Sequence, residues 1–571
     1  MNDGHDEDAS IPLRENLIAD GGEWSGSDDE PCQSSSDSGE WSRSDHEASR
    51  IPSDSGERSG SDDEPRRTLS DGGSAAGADD VTLDPWGSAT VDDYQTLFDQ
   101  FGIEAFEDVL PRVPNPHSPM RRGVVFGHRD YGPVADAMAN DDPFAVLSGW
   151  MPTGDPHIGH LLMMNEIVYH QRQGGDAYAL VADLEANSAR GLSWAEIDGH
   201  TEAYLLSLLA LGFDPDDGEI YRQSGNERLR NLAFELGAAA NLSEMQALYG
   251  FDGETNVSHM QSVVTQMADI LYPQLDEPKP TVIPVGPDQD PHVRFARDLA
   301  DRTRYFGVTE AYASFEADPS ERVLIRAAYD ALDGEQETVR CEDAAGYLRE
   351  HRSGEAGTSV LSKLDNAGKE PVRPRVRFLD RNATDDAFET LIGAIDGEKR
   401  VFEGHVDSFE LDRAAAAELA REVELDHGGY GFIAPSSIYN RFMTGLTGGK
   451  MSSSVPASHI SLLDDPEEGY EKVKSATTGG RASAEKQREL GGKADECPVY
   501  ELYTYLLAGE DDAFATEVYE ECVGGERLCG GCKEQAAELM AEFLDEHQER
   551  REEMRPVLDE LEIEIDSPRR R

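Results

Sequence analysis

The sequence predicts an α/β protein built on a doubly wound, Rossmann-like parallel sheet, and three observations carry that prediction. Short apolar runs alternate with stretches whose apolar residues recur at helical spacing. The runs end in turns bearing Gly or Pro, and the residues able to do chemistry gather in those turns. FAVLSGWM (144–151) reads as a buried strand leading through the turn PTGDPHIGH into the helix LLMMNEIVYHQRQGG, which stops at Gly174-Gly175. DAYALVADLEA supplies another strand and SWAEIDGHTEAYLLSLLALG another helix. TVIPVG (281–286) is a further strand, followed by a Pro-Asp-Gln-Asp-Pro turn and the helix HVRFARDLADRTRYF. Sheets of this kind bind ligands outside the carboxyl ends of their strands.

At 571 residues the chain is too long for one core and divides by texture. Residues 1–80 read as a disordered acidic tail with three 17-residue repeats beginning at Gly22, Gly39 and Gly56. Residues 81–143 form a helical preamble, and 144–309 the first part of the main α/β domain. Residues 310–430 are an αβ insertion without a recognisable motif, 431–475 resume the main domain, and 476–571 are helical.

The charge excludes a conventional basic RNA-binding surface: 51 basic residues face 115 acidic ones, leaving −64, and only ten residues are lysine. Like charges this dense repel within a compact fold, and molar salt, with a Debye length of roughly 3 Å, relieves that repulsion. A salt-adapted protein is the expectation, with shape and local arginines left to recognise any nucleic acid. No run approaches the length of a membrane span, and the acidic start MNDGHDEDAS has no secretory pattern, which points to the cytoplasm.

Two motifs carry chemistry. The turn from Pro152 through Thr153, Gly154, His157, Gly159 and His160 opens a helix, whose unpaired N–H groups and dipole suit a phosphate. Lys450-Met451-Ser452-Ser453-Ser454 follows Thr447-Gly448-Gly449, so a lysine on a mobile loop can meet charge developing on a polyphosphate. Together they read as an ATP site with His157, His160 and Lys450 as catalytic groups.

The pair HIGH and KMSSS resembles class I aminoacyl-tRNA synthetases. The run from Gly286 to Asp298, APSSIYNRFMTGLTGGKMSSS and SATTGGRASAEKQRELGG are similar to their tryptophanyl branch of archaeal and eukaryotic type. The resemblance covers roughly residues 145–305 and 430–555. It implies ATP with Mg²⁺, tryptophan and tRNA(Trp) as substrates, an anticodon-binding role for the helical C-terminus, and a homodimer. It also implies an amino-acid pocket lined by Glu185, Gln266, Asp269, Asp288 and Gln289, with Asp290-Pro291 as helix N-cap and first-turn proline. A tyrosyl-tRNA synthetase, a nucleotidylyl transferase using HxGH alone and a non-charging paralogue are the alternatives at this point.

Cys497, Cys522, Cys529 and Cys532 are spaced C-x24-C-x6-C-x2-C among several glycines. A tetrathiolate for Zn²⁺ or a [4Fe-4S] cluster is one expectation, and ordinary buried thiols are the other. The pattern also resembles an iron–sulfur variant among some bacterial tryptophanyl-tRNA synthetases, with a longer first interval here.

Overall fold

The structure is a computed structural model. It describes residue 98 and residues 101–563, apart from 313–314, 316, 318, 334–337, 353–357, 450, 452–454 and 562. The repeat tail (1–80) lies outside the described residues, as do Lys450, Ser452, Ser453 and Ser454.

Seven strands form the main sheet. They are β1 (Glu104–Ala105), β2 (Val125–Arg129), β3 (Ala145–Trp150), β4 (Asp176–Val181), β5 (Gly218–Arg222), β6 (Thr281–Val285) and, far along the chain, Ser436–Asn440. Their order is β1, β2, Ser436–Asn440, β6, β3, β4, β5; the last five run parallel, and β1 and β2 add an antiparallel edge. That edge comes from the stretch read as a helical preamble. VVFGHR is buried along most of its length, and a short fully buried run has no alternation to betray it.

Helix α1 (Ile158–Arg172) leaves β3 through the HIGH turn. It stops where Gly174 takes φ +89° and the Gly175 N–H returns to the His170 carbonyl, 3.0 Å away. Its inner face, with Leu161, Met164 and Ile167, is almost wholly buried against the sheet, each such side chain contributing roughly 1.5–3 kcal/mol. Helices α2 (Trp194–Ala210), α3 (Val257–Leu271) and α4 (Asp290–Arg302) complete the frame around the strand ends.

The insertion is a second layered unit. Strands β7 (Phe306–Ala311), β8 (Arg375–Asp380), β9 (Lys399–Phe402) and β10 (His405–Ser408) form an antiparallel sheet in the order β7, β8, β10, β9. Phe306, Phe378, Leu391, Val406 and Ala420 build its core, and a helical lobe around Ile325, Leu348 and Leu364 builds another. Helix α5 (Arg413–Asp426) pins it to the main domain: the buried Glu424 accepts from Arg304 at 2.6 Å and from the Phe306 N–H at 2.9 Å. The strand Ser436–Asn440 is β11. Beyond it the chain is helical and ends in α6 (Cys529–Glu560), which packs on Pro466–Ser475 and on α2.

Candidate active site

The site residues stand where strands end. His157 is the N-cap of α1: its Nδ1 accepts the Gly159 N–H at 3.1 Å, while His160 Nδ1 accepts the His157 N–H at 3.2 Å. Imidazole replaces the usual short oxygen-bearing cap, and the exchange fixes both tautomers: with Nδ1 accepting, the ring proton sits on Nε2. Burial, and then the neighbouring imidazoles, push the pKa of His157 down to about 2 and that of His160 to about 4. Both rings are therefore neutral Nε2–H donors at working pH. Gly159 is required, because a Cβ there would lie 2.9 Å from His157 Cε1. The same Cβ position is 3.5 Å from Met451 Sδ, so the start of the KMSSS loop adjoins the HIGH turn. Thr153 is exposed and Gly154 half-buried in the turn between β3 and α1, with open space around Gly154.

Beside this corner lies a pocket of about 300 Å³ lined by Glu185, Gln266, Asp269 and Gln289, together with Trp150 and His292. Glu185 and Asp269 are buried, and Gln223 lies between them, its Nε2 donating to Glu185 Oε1 at 3.1 Å and Asp269 Oδ2 at 2.7 Å. Tyr221 donates to the other Asp269 oxygen at 3.1 Å. Burial raises Glu185 to about 7 and Asp269 well above the usual carboxylate range, the Gln223 bonds opposing it in each case. Gln266 and Gln289 meet at the pocket wall, Nε2 to Oε1 3.5 Å.

Asp288 adjoins the pocket wall: it accepts from Gln289 Nε2 at 3.4 Å, and its Oδ1 lies 2.5 Å from where a Cβ on the pocket-lining Gly286 would stand. One expectation needs correction. Asp290 is not the cap of α4. Gln289 holds that position, and the wholly buried Asp290 instead takes Arg129 at 2.8 Å and Tyr439, joining α4 to the antiparallel edge. Sequence reasoning also missed three neighbours. Gln223 follows β5 in a stretch without motif. Tyr204 on α2 lies 3.3 Å from His160 Nε2, and His459 brings its ring centroid to 4.9 Å from that of His157. The only available signal was their nearness in sequence to strand ends or to KMSSS.

The four cysteines do converge, lining one small pocket of about 20 Å³ with Gly479, Gly480 and Arg527. All four are free thiols. Burial pushes Cys532 up to about 11 and raises Cys522, which favours the protonated form of those two. Among the described residues no group of three or more His, Cys, Asp or Glu is arranged to hold a metal ion, and the residues present do not fit the tetrathiolate. Gly480 packs on the Cys529 sulfur and Gly492 on that of Cys522.

The family described as "tRNA synthetases class I (W and Y)" matches residues 139–336 and 412–545, leaving 337–411 of the insertion unmatched. The tryptophan–tRNA ligase 1 of Halobacterium salinarum is 69% identical over 498 residues, 86% of this chain and 97% of that protein. That of Methanosarcina acetivorans is 46% identical, covering 84% and 98%. The crystal structure of the tryptophanyl-tRNA synthetase from Aeropyrum pernix K1 is similar at a TM-score of 0.57 and 30% identity, over 85% of this chain and 99% of that one. The chain belongs to the class I aminoacyl-tRNA synthetases, in their tryptophan–tRNA ligase family.

Proposed function

We propose that this chain attaches tryptophan to tRNA(Trp) in two steps, with MgATP as co-substrate, and that the HIGH corner and the adjoining pocket divide the work. In the first step a tryptophan carboxylate oxygen bonds to the α-phosphorus, the bond to the β-phosphate oxygen breaks, and pyrophosphate leaves with those electrons. In the second, the 2′-hydroxyl of the terminal ribose attacks the carbonyl carbon, loses its proton, and AMP leaves. No protein nucleophile is needed, so the rate comes from placement and from donors aimed at developing charge.

The observation that carries the assignment is the juxtaposition itself. Two neutral imidazoles with Nε2–H groups cap a helix at the end of β3, and a pocket of about 300 Å³ beside them holds two buried carboxyls. His157, His160 and the N-terminus of α1 are the phosphate donors, with Thr153 and Gly154 along the turn. Lys450 and Ser452–Ser454 are expected to close over the polyphosphate beside Met451. Glu185, Asp269, Gln266 and Gln289 take the polar ends of tryptophan. A buried acceptor for the indole N–H rejects phenylalanine, which would leave it unpaired.

ATP–pyrophosphate exchange with all twenty amino acids in molar KCl tests the reading; tryptophan alone should support it. Exchange with tyrosine instead would transfer the chain to the tyrosyl branch. Lys450→Ala should slow exchange at least about a hundredfold while leaving tryptophan binding nearly intact, because that contact strengthens only in the transition state. Unchanged exchange would remove the lysine from the mechanism.

The salt-rich cytoplasm follows from charge and from the halophilic relative; no described helix is long and apolar enough to cross a membrane. A homodimer draws support from exposed apolar side chains between residues 227 and 271, Phe234 (87%) and Val257 (68%) foremost. Sedimentation in molar KCl decides it.

A further inference from the structure

The tryptophan pocket has a neighbour. Arg190, exposed on the loop after Asp183–Ser188, lines that pocket and also lines a second, open one of about 420 Å³. Tyr249, Phe251, Thr255 and Asn256 form much of the second pocket. A second thread joins the two: Tyr249 Oη lies 3.1 Å from Nδ1 of His292, their rings stacked with centroids 5.0 Å apart, and His292 lines the tryptophan pocket. Tyr249 and Phe251 stand with ring centroids 5.5 Å apart, both half-buried, each presenting part of a ring to the cavity. None of His157, Gly159, His160 or Met451 lines this second pocket, so it is separate from the polyphosphate corner.

Charge narrows the occupant. In a chain of net charge −64, most described arginines are tied to carboxylates, yet Arg190 enters no ion pair among the described residues. A guanidinium left available at the junction of two pockets suits a phosphate. Half-buried aromatic rings suit a nucleobase, which stacks without need of a basic surface. The volume lies within the roughly 300–1,000 Å³ usual for ligand pockets. Glu254 also lines the pocket and disfavours phosphate on its side. The second step requires a ribose hydroxyl to reach the aminoacyl carbonyl beside exactly one polyanion, the tRNA 3′ end.

We propose that this second pocket receives the 3′-terminal nucleotide of the tRNA, with its base against Phe251 and Tyr249 and its phosphate beside Arg190. The proposal rests on the synthetase reading above, and the two fail separately. Wild-type protein that does not catalyse exchange with tryptophan breaks the synthetase reading. The pocket is tested chiefly by variants at Phe251 and Asn256, which line it and not the tryptophan pocket.

Phe251→Ala and Asn256→Ala should keep ATP–pyrophosphate exchange within about twofold. Single-turnover transfer from preformed tryptophanyl-adenylate to tRNA should fall about tenfold or more for Phe251→Ala, the size of one lost base stack. Phe251→Tyr, which retains a ring, should restore transfer and so separates stacking from a folding defect. Arg190→Gln should weaken tRNA binding and lessen its dependence on salt. Unchanged transfer in Phe251→Ala overturns the proposal. A parallel fall of exchange and transfer overturns it too, since the pocket then merely supports the tryptophan site. A variant that becomes monomeric and loses transfer with its dimer assigns the pocket to a second copy of the chain.

Discussion

Two buried sets of charge in this molecule solve opposite problems. In the insertion, Asp407 on β10 is wholly buried between Arg375 and Arg377 of β8, its register partner being Arg377. Arg377 grips both carboxylate oxygens at 2.7 and 3.0 Å, and Arg375 adds a contact at 3.3 Å. Burial alone would raise Asp407, but the hydrogen bond from Arg377 and the two guanidinium charges outweigh it and hold the carboxyl below its ordinary value. In the pocket, Glu185 and Asp269 share only the amide of Gln223, and burial wins. The first set is complete within the protein. In the second, no arginine or lysine bonds either carboxylate among the described residues, and a cavity of about 300 Å³ adjoins them, a combination that marks a candidate ligand site.

The sharpest way to break this contrast is to remove one charge from each set. Asp407→Asn leaves two buried guanidiniums with one neutral amide and should cost about 3–5 kcal/mol, read by denaturant unfolding in molar KCl. A loss below about 1 kcal/mol would mean that water already reaches those arginines. Glu185→Gln should leave the fold standing and act on function instead. Exchange at low tryptophan should fall about a hundredfold, on the order of 2.7 kcal/mol, with far less change at saturating tryptophan. If kcat falls as much as kcat/KM, Glu185 serves the transition state rather than binding.

The same contrast separates what the sequence could tell from what it could not. HIGH and KMSSS are local: a helix cap and a glycine-bearing loop are written in consecutive residues, and Gly159 shows why the cap needs its spacing. The parallel strands were visible because each is an uninterrupted apolar run ending in a turn. Glu185, Gln266, Asp269 and Gln289 were reachable only through family resemblance, and their link, Gln223, enters from β5 with no motif around it. Asp290 shows the limit of cap reasoning. Whether an acidic residue at a helix start caps the helix or reaches across the sheet depends on a distant arginine, here Arg129 in a strand not foreseen. Asp407 and its arginines were equally illegible, since their pairing exists only through the β8–β10 register.

Titration sharpens the comparison further. With the Glu185 carboxyl raised to about 7, it is mostly protonated at pH 6 and mostly ionised at pH 8. If the ionised form takes a donor of tryptophan, KM for tryptophan in exchange should drop roughly tenfold across that range. Glu185→Gln should flatten the profile. Asp269 is coupled to the same amide, so the midpoint belongs to the pair rather than to either residue. A KM that rises with pH would show that the protonated carboxyl is the binding form, acting as donor.

The smallest effect concerns stability, and its sign is the useful part. Glu185 has a folded-state pKa above its ordinary value of 4.5. Between about 4.5 and 7 the folded chain therefore holds a proton that the unfolded chain has released, and stability from this group falls as pH rises through that window. Below the window the group is protonated in both states and contributes no penalty; above it the full cost of an ionised carboxyl held only by the Gln223 amide remains. Glu185→Gln removes that cost, so the ligand-free variant should be more stable than wild type at pH 8 and close to it near pH 4. Saturating tryptophan should reverse the order at pH 8, because only the wild-type pocket gains its partner by binding. A destabilised ligand-free variant at pH 8 would mean that Glu185 is already satisfied within the protein, and the distinction between the two buried charge sets would collapse.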